Sequence, residues 1–277
     1  MTIAQALREA TAALAETSDT PRLDAELLMA EALGVSRSDL LLLHTRDAVP
    51  AGFAALLDRR RGHEPIAYIL GHQEFFGLAF RVSPAVLIPR GDSEILVEAA
   101  LAARPEAARV LDCGTGSGAL LLTVLHRLPG ARGIGIDRSA AALAVAQDNA
   151  ARLGLADRAA LVEADWSQPD WFAGLGGGFD LILANPPYVE DAAELAASVH
   201  AHEPHGALFA GPEGLDDYRL LIPQLPALLN PGGVALLEIG ATQAEAVAQI
   251  AGEAGFVTRL HRDLGDRPRV LELSRQQ

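Results

Sequence analysis

The sequence predicts an α/β fold in which a mostly parallel sheet is covered by helices on both faces, preceded by a helical N-terminal region. From residue 109 onward, short strand-like segments alternate with helix-like ones, which is typical of βαβ units. In residues 1 to about 70, apolar residues recur at helical spacing in a segment rich in Ala and Leu. That pattern predicts helices without strands.

The N-terminal region is predicted to contain three helices. Two of them cover "TIAQALREATAALAE" and "PRLDAELLMAEALG", where strong helix formers surround the apolar positions. The third covers "PAGFAALLDRRRGHE", with Pro50 near its start and Gly62 beyond its last apolar turn. We place this helical domain at residues 1–72.

The pattern then changes to that of a β-hairpin. "EFFGLAFRVS" places aromatic and β-branched residues on either side of a glycine, which indicates two short strands joined by a turn. Residues 73–90 are therefore predicted to form a hairpin linker between the two domains.

Residues 91–277 form the predicted α/β domain. Helices are expected from near Ser117, over "SAAALAVAQDNAARLG" and from about Thr242. In such sheets ligands bind beyond the carboxyl ends of the parallel strands, so the loops after the first four strands are candidates for the site. The expected strands are "RVLDC", "GIGID", "AALVEAD", "FDLILA", "GGVALLEIG", "GFVTRL" and "RVLELS".

Composition limits the classes of function. The formal net charge of -14 argues against a general nucleic-acid binder, which normally carries a basic face. A single cysteine, Cys113, excludes an intrachain disulfide and is compatible with a reducing compartment. The start "MTIAQALREA" does not resemble a signal peptide, and runs such as "ALLLTVL" are too short to span a bilayer. We expect a cytoplasmic protein with no membrane contact.

The loop after the first strand, "DCGTGSGA", is the first candidate binding site. Its glycines allow a tight turn and a close approach of a ligand to the backbone. The spacing also fits the dinucleotide fingerprint, and Asp137 after the next strand could bind a ribose in either case. Asp112 directly precedes the turn, where it could face a cationic amino-acid portion of a ligand such as S-adenosylmethionine, whereas it would repel a pyrophosphate.

The second candidate is "NPPY", Asn185 to Tyr188, after the fourth strand. Two prolines fix φ and cannot donate backbone hydrogen bonds, so this turn is stiff and rich in free acceptors. The Asn185 side-chain oxygen and the Pro186 carbonyl could accept both hydrogens of a planar NH2 group, and Tyr188 could cover that group. Such binding orients a weakly nucleophilic nitrogen for attack on a methyl sulfonium.

These motifs, in this order, resemble the class I S-adenosylmethionine-dependent methyltransferases that act on planar amino groups. With "EPIAYILGHQEFFGLAFRVSPAVLIPR", "HEPHGALFAGPEGLDDYR" and "LNPGGVALLEIGATQ" added, the chain is similar over nearly its whole length to the release factor glutamine methyltransferases (PrmC). The resemblance implies a Rossmann-like, mostly parallel seven-stranded sheet, a helical domain that recognises the protein substrate, and methylation of the glutamine in a Gly-Gly-Gln loop of peptide chain release factors. We expect a monomer that uses S-adenosyl-L-methionine and no metal.

Residue roles carried over from the resemblance fall into three groups. The methionine portion of the cofactor would lie against Gly114, Thr115, Gly116, Ser117 and Gly118. The ribose would be bound by Asp137, and Asp165 or Trp166 would border the adenine. The substrate amide would be held by Asn185, Pro186, Pro187 and Tyr188, with Asn185 also near the cofactor.

Several alternatives remain open at this level. An enzyme that methylates a ribosomal-protein glutamine would have the same clamp, and "NPPY" also occurs in adenine-N6 methyltransferases. A dinucleotide-binding oxidoreductase or a non-catalytic nucleotide sensor would have a similar glycine loop. "HAHEPH" invites a zinc hypothesis, although no cysteine supports it. Two positions, Gly91 and Cys113, differ from the Pro and Leu usual in the family.

Overall fold

The computed structural model describes residues 1–275, and the chain divides into two compact units. The first contains Met1–His72 together with Leu195–Glu203. The second contains Gln73–Glu194 and the chain from Pro204 onward. The short segment Leu195–Glu203 thus belongs with the N-terminal helices, an association that the division of the sequence at residues 72 and 90 did not include.

The helices are numbered here in chain order. They are α1 (Ile3–Ala13), α2 (Pro21–Leu33), α3 (Arg37–Asp39), α4 (Phe53–Arg61), α5 (Ile66–Leu70), α6 (Glu94–Ala103), α7 (Ala119–Arg127), α8 (Ala140–Arg152), α9 (Ala197–His202), α10 (Asp216–Leu221), α11 (Leu225–Leu228) and α12 (Ala244–Glu253). Even the longest have only 13 residues, so among residues 1–275 no helix is long and apolar enough to cross a membrane.

The strands are numbered in the same way. They are β1 (His72–Phe75), β2 (Leu78–Arg81), β3 (Arg109–Cys113), β4 (Arg132–Asp137), β5 (Ala159–Glu163), β6 (Phe179–Ala184), β7 (Leu229–Glu238), β8 (Phe256–Arg262) and β9 (Pro268–Arg275).

The first unit is a helical body with its own apolar core. Helix α1 begins at a capping box, in which the Thr2 hydroxyl accepts the Gln5 N–H and the Gln5 side chain accepts the Thr2 N–H. Helix α2 starts with Pro21 and ends at Gly34, whose φ of 69° provides a left-handed cap. The core side chains include Ile3, Leu14, Leu28, Met29, Leu40 and Phe53.

Sequence patterns alone located only part of this unit. Helices α1, α2 and α4 lie inside the three predicted segments, but α4 begins at Phe53, past Pro50. The short α3, the π-helical turn Leu40–His44 and α5 were not predicted. Each is five residues or shorter, so it contains too few turns to produce a periodic apolar pattern.

The predicted hairpin is present and is attached to the second unit. Phe76 and Gly77 join β1 to β2, both with positive φ (53° and 78°), as a two-residue type I′ turn requires. Phe75 and Phe80 are buried in the core of the second unit. Asn149 on α8 exchanges two hydrogen bonds with the backbone of Arg81, which fastens β2 to that unit.

Within the described chain, seven strands form one sheet in the order β5-β4-β3-β6-β7-β9-β8. The pairs from β5 across to β7 are parallel, and β9 pairs antiparallel with both β7 and β8. From β3 the chain adds β4 and then β5 on one side of the sheet. It then returns to β6 on the other side of β3, and the remaining strands lie beyond β6. The strand order therefore reverses between β3 and β6, which is where open α/β sheets bind ligands.

Each face of this sheet is covered by an apolar layer, as a parallel sheet requires. One layer includes Leu121 and Val124 of α7 packed with Val110 of β3. The other includes Leu111 and Ile182 of the sheet packed with Tyr218 of α10. Helices α6, α10 and α11 were not predicted, and β7 starts at Leu229, three residues before the predicted strand.

Candidate active site

The glycine loop that follows β3 has the conformation of a cradle. Gly114, Gly116 and Gly118 have φ of 76°, 54° and 81°, values that other residues adopt only with strain. The N–H groups of Gly114 and Thr115 both donate to the Ile136 carbonyl, at 2.9 and 2.8 Å. The loop is therefore tied to the end of β4, and α7 begins immediately after it.

Two of these glycines also have little space for a side chain. A Cβ on Gly118 would lie 2.8 Å from Leu122 Cδ1, and one on Gly114 would lie 3.2 Å from Trp166 Cη2. The indole of Trp166 thus lies directly against the loop. The indole Nε1 donates to Asp217 Oδ1 at 2.9 Å. The backbone carbonyl of Trp166 accepts a hydrogen bond from Gln224 Nε2 at 3.0 Å.

Asp137, the last residue of β4, shapes the loop as well as facing the cavity. Its Oδ2 accepts the Gly116 N–H and its Oδ1 accepts the Ser139 N–H, both at 2.9 Å. A carboxylate oxygen has two lone pairs, so each oxygen can accept one further hydrogen bond from a ligand. Asp165, whose Oδ1 accepts the Ser167 N–H at 2.8 Å, lies two residues after the end of the neighbouring β5.

The Asn185–Tyr188 turn follows β6, across the switch point from the glycine loop. Asn185 and Tyr188 are half-buried, whereas Pro186 and Pro187 are buried. Beyond the turn, the Val189 N–H donates to the Leu208 carbonyl at 2.8 Å and its carbonyl accepts the Ala210 N–H at 2.9 Å. The turn is therefore held by β6 on one side and, on the other, by these two backbone hydrogen bonds of Val189.

One cavity brings most of the predicted residues together. From the prediction, its wall includes Gly114, Thr115, Gly116, Ser117, Asp137, Asp165, Trp166, Asn185 and Pro187. Three predicted residues, Gly118, Pro186 and Tyr188, do not line it. Gly118 instead starts α7, where its N–H donates to the Thr115 carbonyl at 2.7 Å.

Burial raises the pKa of two groups near the cavity. Asp112 is fully buried, and burial raises its pKa to about 7 even though Thr115 Oγ1 donates to its Oδ2 at 2.7 Å. Its Oδ1 is buried without a hydrogen-bond partner in the described chain. Burial, followed by the charge of Glu238, raises the pKa of Tyr188 to about 12, so the phenol is protonated at neutral pH.

Comparison with known proteins decides the family. Residues 5–71 match the model of the PrmC N-terminal domain, and residues 91–203 match that of the methyltransferase small domain. The release factor glutamine methyltransferase of Moorella thermoacetica is 46% identical over 92% of this chain and 91% of its own length. The chain belongs to the release factor glutamine methyltransferase family.

Other relatives agree with this assignment. The family member of Geobacter sulfurreducens is 43% identical over 86% of this chain and 84% of its own. Among solved structures, a ribosomal protein L11 methylase from Lactobacillus delbrueckii subsp. bulgaricus matches with a TM-score of 0.51 and 26% identity, over 74% of this chain and 90% of that chain. The predicted class I methyltransferase fold is confirmed, and the oxidoreductase alternative is wrong.

Sequence reasoning assigned no role to several other residues that line the cavity in this family member. One group precedes α6 and comes from the "AVLIPR" segment with Ser93; a second follows β4, at Arg138 and Ser139; a third is Pro204, Gly206 and Ala207. Arg138 Nη2 donates to the Gly206 carbonyl at 2.5 Å, which joins the second group to the third. The "VLIPR" string was part of the family resemblance, but no periodicity or spacing indicated that it lines the site.

The zinc hypothesis and the role of Cys113 can be compared with the geometry of these residues. Among residues 1–275, no group of three or more His, Cys, Asp or Glu side chains is arranged to hold a metal ion. His202 Nε2 lies 3.4 Å from the Gly62 carbonyl within the helical unit. Cys113 is fully buried on β3, and burial raises the pKa of its thiol, which disfavours the nucleophilic thiolate.

Proposed function

We propose that this protein methylates the side-chain amide nitrogen (N5) of the glutamine in the Gly-Gly-Gln motif of peptide chain release factors, using S-adenosyl-L-methionine. The observation that carries the proposal is the single cavity that the glycine loop and the Asn185 turn line from either side of the switch point. The relatives that match nearly the whole chain are named release factor glutamine methyltransferases.

The residues present fit the proposed cofactor. Gly114 and Gly116 line the cavity, and a Cβ on Gly116 would have only the Gly114 carbonyl at 4.0 Å, so a ligand can lie against the backbone there. Asp137 keeps free lone pairs for ribose hydroxyls, and Asp165 and Trp166 offer the border for the adenine. When bound, S-adenosylmethionine supplies an electrophilic methyl group on a sulfonium sulfur.

The clamp would orient the substrate. Asn185 Oδ1 and the Pro186 carbonyl accept the two amide hydrogens, so that the nitrogen lone pair is directed towards the donor methyl group. As the nitrogen bonded to the methyl group and the methyl–sulfur bond broke, the sulfur would leave as a neutral thioether. The nitrogen would become more positive, and these two acceptors would bind its hydrogens more strongly. The nitrogen would then release one proton to solvent. Tyr188 does not line the cavity itself; it would cover the planar group from behind the Asn185–Pro187 segment, with its phenol protonated at neutral pH.

The first unit would recognise the protein substrate. Its helices match the PrmC N-terminal domain, and a protein loop needs a docking surface but no basic groove, in agreement with the net charge of -14. Because the substrate is a translation factor, we propose that the enzyme acts in the cytoplasm.

Mass spectrometry of candidate substrates tests the function. A release factor, a ribosomal-protein fraction and duplex DNA are each incubated with enzyme and S-adenosylmethionine. The expected product is a single added methyl group on the Gly-Gly-Gln glutamine of the release factor. Methylation of a ribosomal-protein glutamine or of adenine, with none on the release factor, would contradict the proposal.

A further inference from the structure

Gln243, between β7 and α12, is a glutamine to which the sequence analysis assigned no role, and its side-chain amide contacts several loops. It is only 8% exposed. Its Nε2 donates to the Tyr188 carbonyl at 3.0 Å and to the Gly214 carbonyl at 3.1 Å, with the Glu213 carbonyl at 3.4 Å. Its Oε1 accepts the Gly240 N–H at 3.0 Å. One side chain therefore cross-links three loops at the carboxyl edge of the sheet.

The neighbouring backbone is built around this side chain. A Cβ on Gly214, which has a φ of 66°, would collide with the Tyr188 carbonyl and lie 2.7 Å from Gln243 Nε2. A Cβ on Gly240 would lie 2.8 Å from Gln243 Oε1. Because Oε1 faces an N–H and Nε2 faces carbonyls, only one orientation of the amide satisfies every partner.

The contact with Tyr188 matters because of where it lies in the chain. Pro186 and Pro187 have no N–H, so they cannot fasten the turn by donating backbone hydrogen bonds. The Tyr188 carbonyl is the first acceptor after the prolines, and Gln243 holds it 55 residues away in sequence. Asn185, at the other end of the same turn, lines the cavity.

We propose that Gln243 is a positioning residue for methyl transfer: by fixing the Tyr188 carbonyl it sets the placement of Asn185 and Pro186 against the substrate amide. This inference rests on the proposed function of the Asn185 turn. Gln243 does not line the cavity, so its effect on the reaction passes through the turn. A shift of the clamp by a fraction of an ångström lowers turnover strongly, because the barrier depends on the alignment of nitrogen and methyl group.

The test compares three variants of the full-length enzyme. Gln243→Met keeps the length of the side chain and removes its donor and acceptor. Gln243→Glu keeps its shape and replaces the NH2 by an oxygen that faces carbonyls. Gln249→Met, on the exposed face of α12 where Gln249 donates to Glu253, is the matched control.

With a release factor as substrate, we expect kcat to fall about 10- to 100-fold in both Gln243 variants. The dissociation constant of S-adenosylmethionine should stay within about 3-fold of the wild-type value. Both quantities should be unchanged in the Gln249→Met control. In the Asn185→Ala background the same Gln243→Met change should lower kcat less than about 3-fold, since coupled residues are not additive. A normal kcat in a folded Gln243→Met variant, or an additive loss in the double variant, would overturn the proposal.

Hydrogen exchange separates this proposal from the function on which it rests, because it needs no substrate. The amides of residues 188–191 should exchange faster in Gln243→Met than in Gln249→Met. Unchanged exchange there would overturn the positioning role whichever substrate the enzyme uses. If the wild-type enzyme left the release factor unmethylated, only the proposed function would fail.

Discussion

In the proposed mechanism, Asn185 is the side chain on which turnover depends most. It stands directly after β6, it is half-buried, and it lines the cavity that Asp137 and the glycine loop also line. Asp137 accepts the N–H groups of Gly116 and Ser139, and in the proposed mechanism the same carboxylate would also bind the ribose. At this scale, substitutions should separate cofactor binding from turnover.

Replacement of Asp137 should weaken cofactor binding. Asp137→Ala removes the proposed ribose acceptor, so the binding free energy of S-adenosylmethionine should fall by about 1.5–3 kcal/mol, as for other hydrogen bonds to charged groups. Calorimetric titration measures this. Asp137→Asn is the control for loop structure, because its remaining Oδ1 can still accept one backbone N–H. An unchanged dissociation constant in folded Asp137→Ala would sink the assignment.

Replacement of Asn185 should act mainly on turnover. Asn185→Ala should lower kcat about 10²- to 10³-fold, by analogy with the loss of one oxyanion-hole donor, and should weaken cofactor binding much less. Steady-state kinetics measures kcat, and calorimetry measures the dissociation constant of S-adenosylmethionine. Asn230→Ala is a matched control, since Asn230 bonds to Asp180 and does not line the cavity. Near-normal kcat in Asn185→Ala would move the amide-holding role to another residue.

At the scale of elements, the site depends on how β3, β6 and their following loops are fastened to neighbours. Asn149 of α8 bonds to the backbone of β2 and, through Nδ2, to the Ser117 carbonyl at 2.9 Å. The hairpin and the glycine loop thus share one anchor. The start of α7 depends on the small size of Gly118, because a Cβ there would lie 2.8 Å from Leu122 Cδ1.

Gly118→Ala should destabilise the second unit. The substitution strains a φ of 81° and brings the new Cβ to 2.8 Å from Leu122 Cδ1, so overpacking adds about 1–3 kcal/mol to the backbone cost. Gly154→Ala is the matched control, with a φ of 69° and no atom within 4 Å of its Cβ. Urea unfolding should show a larger decrease in the free energy of unfolding for Gly118→Ala than for Gly154→Ala. Equal decreases would mean that Leu122 moves aside freely.

At the scale of the whole molecule, the two units have separate apolar cores. All residues that line the cavity belong to the second unit, and the PrmC N-terminal match belongs to the first. Chemistry and protein recognition are therefore proposed for different units.

Deletion of residues 1–72 should separate these two roles. We expect methylation of an intact release factor to fall at least about 10-fold, because the proposed docking surface is lost, whereas S-adenosylmethionine binding and methylation of a short Gly-Gly-Gln peptide change little. Mass spectrometry and calorimetry give these values for the full chain and the deletion. Equal loss with the factor and the peptide would argue against a recognition role for the helices.

The sequence by itself determined the class of fold and the two central motifs of the site. Helical and strand periodicity are local properties, and so are the glycines of "GTGSG" and the prolines of "NPPY", because each restricts φ at its own position. Family resemblance then identified the chemistry. Short elements such as α3 and α5 were missed, since they contain too few turns to show a period.

Only the tertiary structure decided what holds the site together. Gln243 meets Tyr188 across 55 residues, and Asn149 meets Arg81 across 68, and no local pattern encodes such pairs. The same is true of the "AVLIPR" segment on the cavity wall and of Leu195–Glu203 beside the N-terminal helices. Gln243 and Tyr188 meet because the loops after β6 and β7 lie at one edge of the sheet, where sheet order is set by packing of the whole core. The other contacts join segments that are far apart in sequence through packing of each unit.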